Sequence, residues 1–75
     1  MIRDMLVETP SVAREDGKFI VNVHWRDADA LQLYLQRRGI ACTACWEPEG
    51  RVAWLELPVG TDPIAVAEAI TDWLN

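Results

Sequence analysis

The chain has few of the residues on which most enzyme and metal sites depend. Its 75 residues include one histidine, His24, and two cysteines, Cys42 and Cys45. No cluster of polar side chains with catalytic or metal-ligand spacing occurs along the sequence. We therefore expect no enzymatic activity, no cofactor and no metal.

Basic residues are also scarce. Seven Lys and Arg stand against twelve Asp and Glu, which gives a formal net charge of −5. Because sequence-independent nucleic-acid binding depends on Lys and Arg that neutralise phosphates, this acidic balance argues against a nucleic-acid partner.

Long apolar runs are missing too. No run approaches the roughly 18 residues that a membrane-spanning helix needs. The first apolar stretch is interrupted by Arg3 and Asp4, which is not typical of a signal peptide. We expect a cytoplasmic protein that has no membrane partner.

What the sequence does contain is enough apolar material for one packed core, since 51% of its residues are hydrophobic. A loop-like segment, Thr9 to Gly17, precedes a densely patterned region. We expect residues 1–16 to form an N-terminal arm, either flexible or added to a sheet as a strand, and residues 17–75 to form a single α+β domain. A domain this small is marginally stable alone, which favours self-association.

The element order predicted from periodicity and turn residues is β-α-β-β-α. Asp27 and Asp62 are placed to cap the two helices, and Gly39 is placed to end the first one. Pro48 and Gly50 indicate a hairpin turn between the second and third strands. The predicted strands are 18–25, 40–47 and 51–57, and the predicted helices are 27–38 and a segment from Pro63 onward.

This order resembles most of a ferredoxin-like split β-α-β unit with its final strand missing. The resemblance implies a three-stranded antiparallel or mixed sheet in which the hairpin's second strand lies between the other two. A right-handed crossover then places the first helix on one face of the sheet.

If the second helix joins the first, the opposite face of the sheet is left bare. A hairpin register with Glu47 opposite Arg51 places a set of mainly apolar residues there. We interpret this face as an interface, used by a homodimer or by another protein. Two alternatives need no interface: residues 2–8 fold back as an extra strand, or the last helix covers this face. The predicted interface residues are Ile20, His24, Thr43, Cys45, Ala53, Leu55 and Leu57.

The leading hypothesis is therefore a small non-enzymatic interaction or assembly domain, which we expect to form a homodimer through this face, and two other hypotheses remain open. One is a ligand-sensing domain of ACT-like type that binds a small molecule at the turn formed by Trp25, Arg26, Asp27 and Ala28. The other is a thiol protein that uses the C-x-x-C pair, Cys42 and Cys45. Strand geometry argues against a disulfide in this pair, because residues three apart on a strand point to opposite faces.

Overall fold

The computed structural model describes residues 10–47 and 52–75 of the chain. Within these ranges the protein is α+β, with one sheet and two helices. A short 3-10 turn, Trp25–Asp27, precedes the first helix. In chain order the elements are β1 (Ser11–Glu15), β2 (Lys18–His24), α1 (Ala28–Arg37), β3 (Thr43–Trp46), β4 (Val52–Glu56) and α2 (Pro63–Leu74).

Among the described residues the sheet has four strands instead of the three predicted, in the order β1-β2-β4-β3, and all neighbours are antiparallel. The additional strand, β1, lies in the loop-like segment Thr9 to Gly17 and within the arm 1–16, for which the sequence leaves either a flexible arm or an added strand open. It turns into β2 through Asp16 and Gly17, whose φ angles are 51° and 80°. Two successive left-handed residues are typical of a two-residue hairpin. The extra strand considered for residues 2–8 lies outside the described residues.

β4 lies between β2 and β3, as predicted, and α1 connects β2 to β3 along the chain. Both helices pack on the same face of the sheet, because their apolar residues share one core with alternate residues of β2 and β4. Coverage of the opposite face by α2, one of the alternatives, is therefore wrong. The core comprises Val21, Val23, Ala28, Leu31, Leu35, Cys42, Ala53, Leu55, Leu57, Val66, Ala69 and Ile70.

The predicted hairpin register between β3 and β4 is wrong by one residue. Cys45 lies opposite Trp54, and the Glu47 N–H donates to the Val52 carbonyl at 3.0 Å, so Glu47 pairs with Val52 instead of Arg51. The turn expected around Pro48 and Gly50 lies outside the described residues. A shift of one residue moves every side chain of a strand to the other face.

Of the three helix-end residues predicted from the sequence, two have the predicted role in the structure and the third does not. Gly39 follows α1 with a φ of 84°, and the Asp62 carboxylate accepts the Ile64 N–H at 3.0 Å, so both predicted signals are confirmed. The Asp27 side chain makes no cap hydrogen bond. Instead, His24 Nδ1 accepts the Arg26 N–H at 3.2 Å and begins the 3-10 turn ahead of α1.

The two helices are also linked at their C-terminal ends, where Arg38 Nη1 lies 3.1 Å from Asp72 Oδ2. Both side chains are exposed, so this ion pair contributes little to stability. Neither α1 nor α2, the helices in the described ranges, combines the length and apolar character that crossing a bilayer requires.

Candidate interaction surface

The face of the sheet opposite the helices, called here the open face, follows from the strand register. Residues directly opposite one another on neighbouring strands share a face. Asn22 of β2 pairs with Ser11 on one side and Trp54 on the other, and Trp54 pairs in turn with Cys45. The open face comprises Ser11, Ala13, Glu15, Lys18, Ile20, Asn22, His24, Thr43, Cys45, Val52, Trp54 and Glu56.

A hollow of about 410 Å³ lies on the open face. Ile20 is nearly buried, Trp54 is half-buried, and Val52 beside them is 52% exposed. The Trp54 indole N–H donates to Glu56 Oε2 at 3.1 Å, which links two side chains of the hollow. The residues that line it are Glu15, Asp16, Lys18, Ile20, Asn22, Val52, Trp54 and Glu56.

The rim of the hollow is acidic. Glu15, Asp16 and Glu56 contribute three carboxylates, and Lys18 contributes the single ammonium among the lining residues. The surface therefore combines an apolar floor with a net negative rim. Such a surface suits a partner that brings apolar and cationic groups together.

The predicted interface residues fall on both faces. Ile20, His24, Thr43 and Cys45 lie on the open face, where the sequence places them. The other three are in the core under the helices, because of the one-residue register error. They are Ala53, Leu55 and Leu57, with exposed fractions of 2%, 0% and 1%.

The prediction from sequence missed the three β4 residues that do lie on the open face: Val52, Trp54 and Glu56. Alternation along β4 had grouped these three residues correctly. Only their assignment to a face was wrong, since it depended on the turn that joins β3 to β4.

The segment expected to hold a small ligand is a compact turn. The His24 and Trp25 rings stack with centroids 5.9 Å apart, and the Arg26 guanidinium lies 5.8 Å from a ring centroid of Trp25. Ala28 is fully buried at the start of α1. Ala28 therefore has no exposed surface, whereas Trp25 is 37% exposed. A small-ligand site at this turn stays a prediction.

The two cysteines are free and lie on opposite sides of the sheet. Cys42 belongs to the core, and burial raises the pKa of its thiol. Cys45 lies on the open face, where desolvation and then the nearby Glu56 carboxylate raise the pKa of its thiol. Raised pKa values leave both thiols protonated at neutral pH, which slows nucleophilic and redox chemistry.

Among residues 10–47 and 52–75, no three His, Cys, Asp or Glu side chains are grouped in a way that would hold a metal ion. No family model matches the chain, and neither the curated proteins nor the solved structures contain a significant match to it. A functional proposal therefore depends on the physical character of the open face.

Proposed function

We propose that this chain is a non-enzymatic protein-interaction domain that binds a segment of another protein on its open face. The observation that carries the proposal is the exposed Val52 beside the half-buried Trp54 in the hollow. Apolar side chains grouped on one surface and rimmed by polar groups mark contact sites on soluble domains.

The acidic rim indicates the chemistry of the partner. Cationic side chains placed near Glu15, Asp16 and Glu56 would gain favourable electrostatic energy, whereas acidic ones would be repelled. An aliphatic or aromatic side chain between them would cover Val52 and Trp54. The proposed partner is therefore a protein segment that combines Lys or Arg with apolar residues.

A second copy is a poorer occupant of this particular surface than the sequence had indicated. The expected face-to-face homodimer relied on Ala53, Leu55 and Leu57, which are core residues. Packing two open faces together would also bring two acidic rims close to each other.

Two further predictions from the sequence, the ferredoxin-like topology and the cytoplasmic location, also remain proposals. The order of β2, α1, β3 and β4 is compatible with a ferredoxin-like half topology. Free Cys42 and Cys45 thiols are compatible with a reducing compartment such as the cytoplasm. A ligand-sensing function at residues 25–28 and a thiol function of Cys42 and Cys45 also remain proposals.

Selection of a random peptide library on the purified protein tests the proposal. We expect the recovered peptides to be enriched in Lys and Arg together with apolar residues. Because the positive charge of Val52→Lys would repel such peptides, their affinity for this variant should fall by about tenfold. Glu56→Gln keeps an acceptor for the Trp54 indole and removes one negative charge, so it should weaken peptide binding about threefold.

Val59→Lys is the matched control, since Val59 is an exposed valine in the segment after β4, outside the hollow. It should leave peptide affinity unchanged. The proposal fails if the selected peptides are acidic, or if they bind Val52→Lys and Val59→Lys equally well.

A further inference from the structure

In the part of the chain that the structure describes, β3 is an edge strand. One hydrogen bond identifies which of its backbone groups point away from the sheet. The Glu47 N–H donates to the Val52 carbonyl. Backbone hydrogen bonds alternate along an antiparallel pair, so Thr43, Cys45 and Glu47 bond to β4. Ala44 and Trp46 therefore direct their N–H and C=O groups outward. The edge offers two donors and two acceptors to another strand.

This edge lacks the usual protection against pairing. Natural edge strands are commonly blocked by charged residues or proline, but β3 consists of Thr-Ala-Cys-Trp. The Cys42 carbonyl just before it is already engaged. It accepts the Gln32 Nε2–H at 3.2 Å and the Gln36 Nε2–H at 3.4 Å. The accessible edge therefore begins after Cys42.

We propose that β3 pairs antiparallel with β3 of a second copy of this chain, with Cys45 facing Cys45 of the second copy across a two-fold axis. In this register Ala44 exchanges both of its backbone hydrogen bonds with Trp46 of the second copy, and Trp46 does so with Ala44. All four outward groups on each copy are then paired.

The two neighbouring symmetric registers are worse for identifiable reasons. A register centred on Ala44 would pair Cys42 with Trp46, and the Cys42 carbonyl is already contacted by two glutamine side chains. A register centred on Trp46 would pair Ala44 with Pro48, which has no N–H to donate. The register centred on Cys45 requires hydrogen bonds from Ala44 and Trp46 alone, so it needs neither the Cys42 carbonyl nor an N–H at residue 48.

The side chains in this register are also complementary. Ala44 lies beside Trp46 of the second copy, so a small residue adjoins an indole that is 45% exposed in the single chain. Thr43 lies opposite Glu47, which allows a hydroxyl to donate to a carboxylate. No two like charges face each other in the paired segment, although each chain carries a net charge of −5.

The pairing joins two four-stranded sheets into one of eight strands with both open faces on the same side. This surface is separate from the hollow, so the edge pairing and the proposed function can fail independently. The dimer would present two adjacent copies of the hollow to a partner.

Thiol cross-linking tests the register directly. In the Cys42→Ala variant, the remaining Cys45 residues of two copies would lie about 4.5 Å apart between Cα atoms, which suits a disulfide. Diamide accepts the two electrons and two protons that the thiols release. It should convert most of the protein to a covalent dimer at alkaline pH, because the thiolate is the form of Cys45 that reacts.

A single thiol at residue 43, in the triple variant Thr43→Cys, Cys42→Ala, Cys45→Ala, is the matched control. The thiol at residue 43 lies on the open face, as Cys45 does, but it is opposite Glu47 of the second copy. The residue 43 thiols of the two copies are therefore four residues apart along the paired strands, or about 13 Å. It should cross-link at least about tenfold less. Equal cross-linking of the two variants, or none from Cys45, would overturn the proposal.

Two further variants separate the edge from the open face. Ala44→Pro removes an outward N–H without touching the bonds to β4, and Trp46→Lys adds a charge to the edge. Both should sediment as monomers and still bind the selected peptides, whereas Leu33→Lys, on the exposed side of α1, should remain dimeric. A wild-type chain that sediments as a monomer at high micromolar concentration contradicts the edge pairing but leaves the proposed function intact.

Discussion

Trp54 donates its indole N–H to Glu56 Oε2 at 3.1 Å, and both residues lie on the open face two positions apart in β4. A hydrogen bond to a carboxylate restricts the orientation of the indole. Part of the hollow is therefore preformed in the free chain. Preformed surfaces lose less conformational entropy when they bind a partner.

Removing the acceptor should cost stability. Glu56→Ala leaves the half-buried indole N–H without its partner, and we expect it to lower the free energy of unfolding by about 1 kcal/mol. Glu56→Gln retains an acceptor and should cost less than half as much. Urea denaturation measures both losses. Equal losses would show that the charge of Glu56 matters and the hydrogen bond does not.

A glutamate substitution should unfold the protein at Leu55 and should have little effect on stability at Val52. Leu55 is fully buried between sheet and helices, so Leu55→Glu should abolish cooperative folding, and Leu55→Ala should cost about 3 kcal/mol. Val52→Glu lies on the open face and should cost under about 0.5 kcal/mol. Circular dichroism during urea titration distinguishes these outcomes. A folded Leu55→Glu protein would refute the β3–β4 register described above.

The two aspartates at the helix starts should also differ. Asp62 accepts the Ile64 N–H, and Asp62→Ala should lower the free energy of unfolding by about 1 kcal/mol. The Asp27 side chain makes no cap hydrogen bond, so Asp27→Ala should cost less than about 0.5 kcal/mol. Thermal or urea unfolding provides the comparison. Similar losses would indicate that Asp27 caps α1 in solution.

Stability should fall at alkaline pH because of Cys42. Burial raises the pKa of this thiol, so the folded state keeps its proton to a higher pH than the unfolded chain does. The stabilisation from the protonated Cys42 thiol is fully present below the pKa of this thiol in the unfolded chain, about 8.5. It is lost as the pH rises through the pKa of the same thiol in the folded protein. Urea titrations between pH 8 and pH 10 should show this decline.

Cys42→Ala is the variant that isolates this effect. The fall in stability at alkaline pH should be smaller in Cys42→Ala than in the wild type, whereas Cys45→Ala should leave most of it in place. In the native wild type, a thiol reagent should modify Cys45 before Cys42, since Cys42 is buried and Cys45 is partly exposed. Preferential modification of Cys42 would contradict its place in the core.

Much of the architecture was readable from local signals. Residues of high β propensity predicted β2, the turn residues of a hairpin separated β3 from β4, and Asp62 with Pro63 marked the start of α2. β1 was missed because its five residues, Ser11–Glu15, include only two apolar ones and form an edge strand with a solvent-facing side. The Asp16-Gly17 pair was the available signal, since this dipeptide is typical of two-residue hairpins.

The sequence by itself determined the α+β composition, the order of the predicted helices and strands, and the grouping of Val52, Trp54 and Glu56 on one side of β4. Period-2 alternation and capping chemistry act within a few residues, so a single chain displays them. Only the tertiary structure decided which side of β4 faces the helices. That choice depends on a register shift of a single residue between β3 and β4, and it is settled by burial of Leu55 and Leu57 beneath both helices.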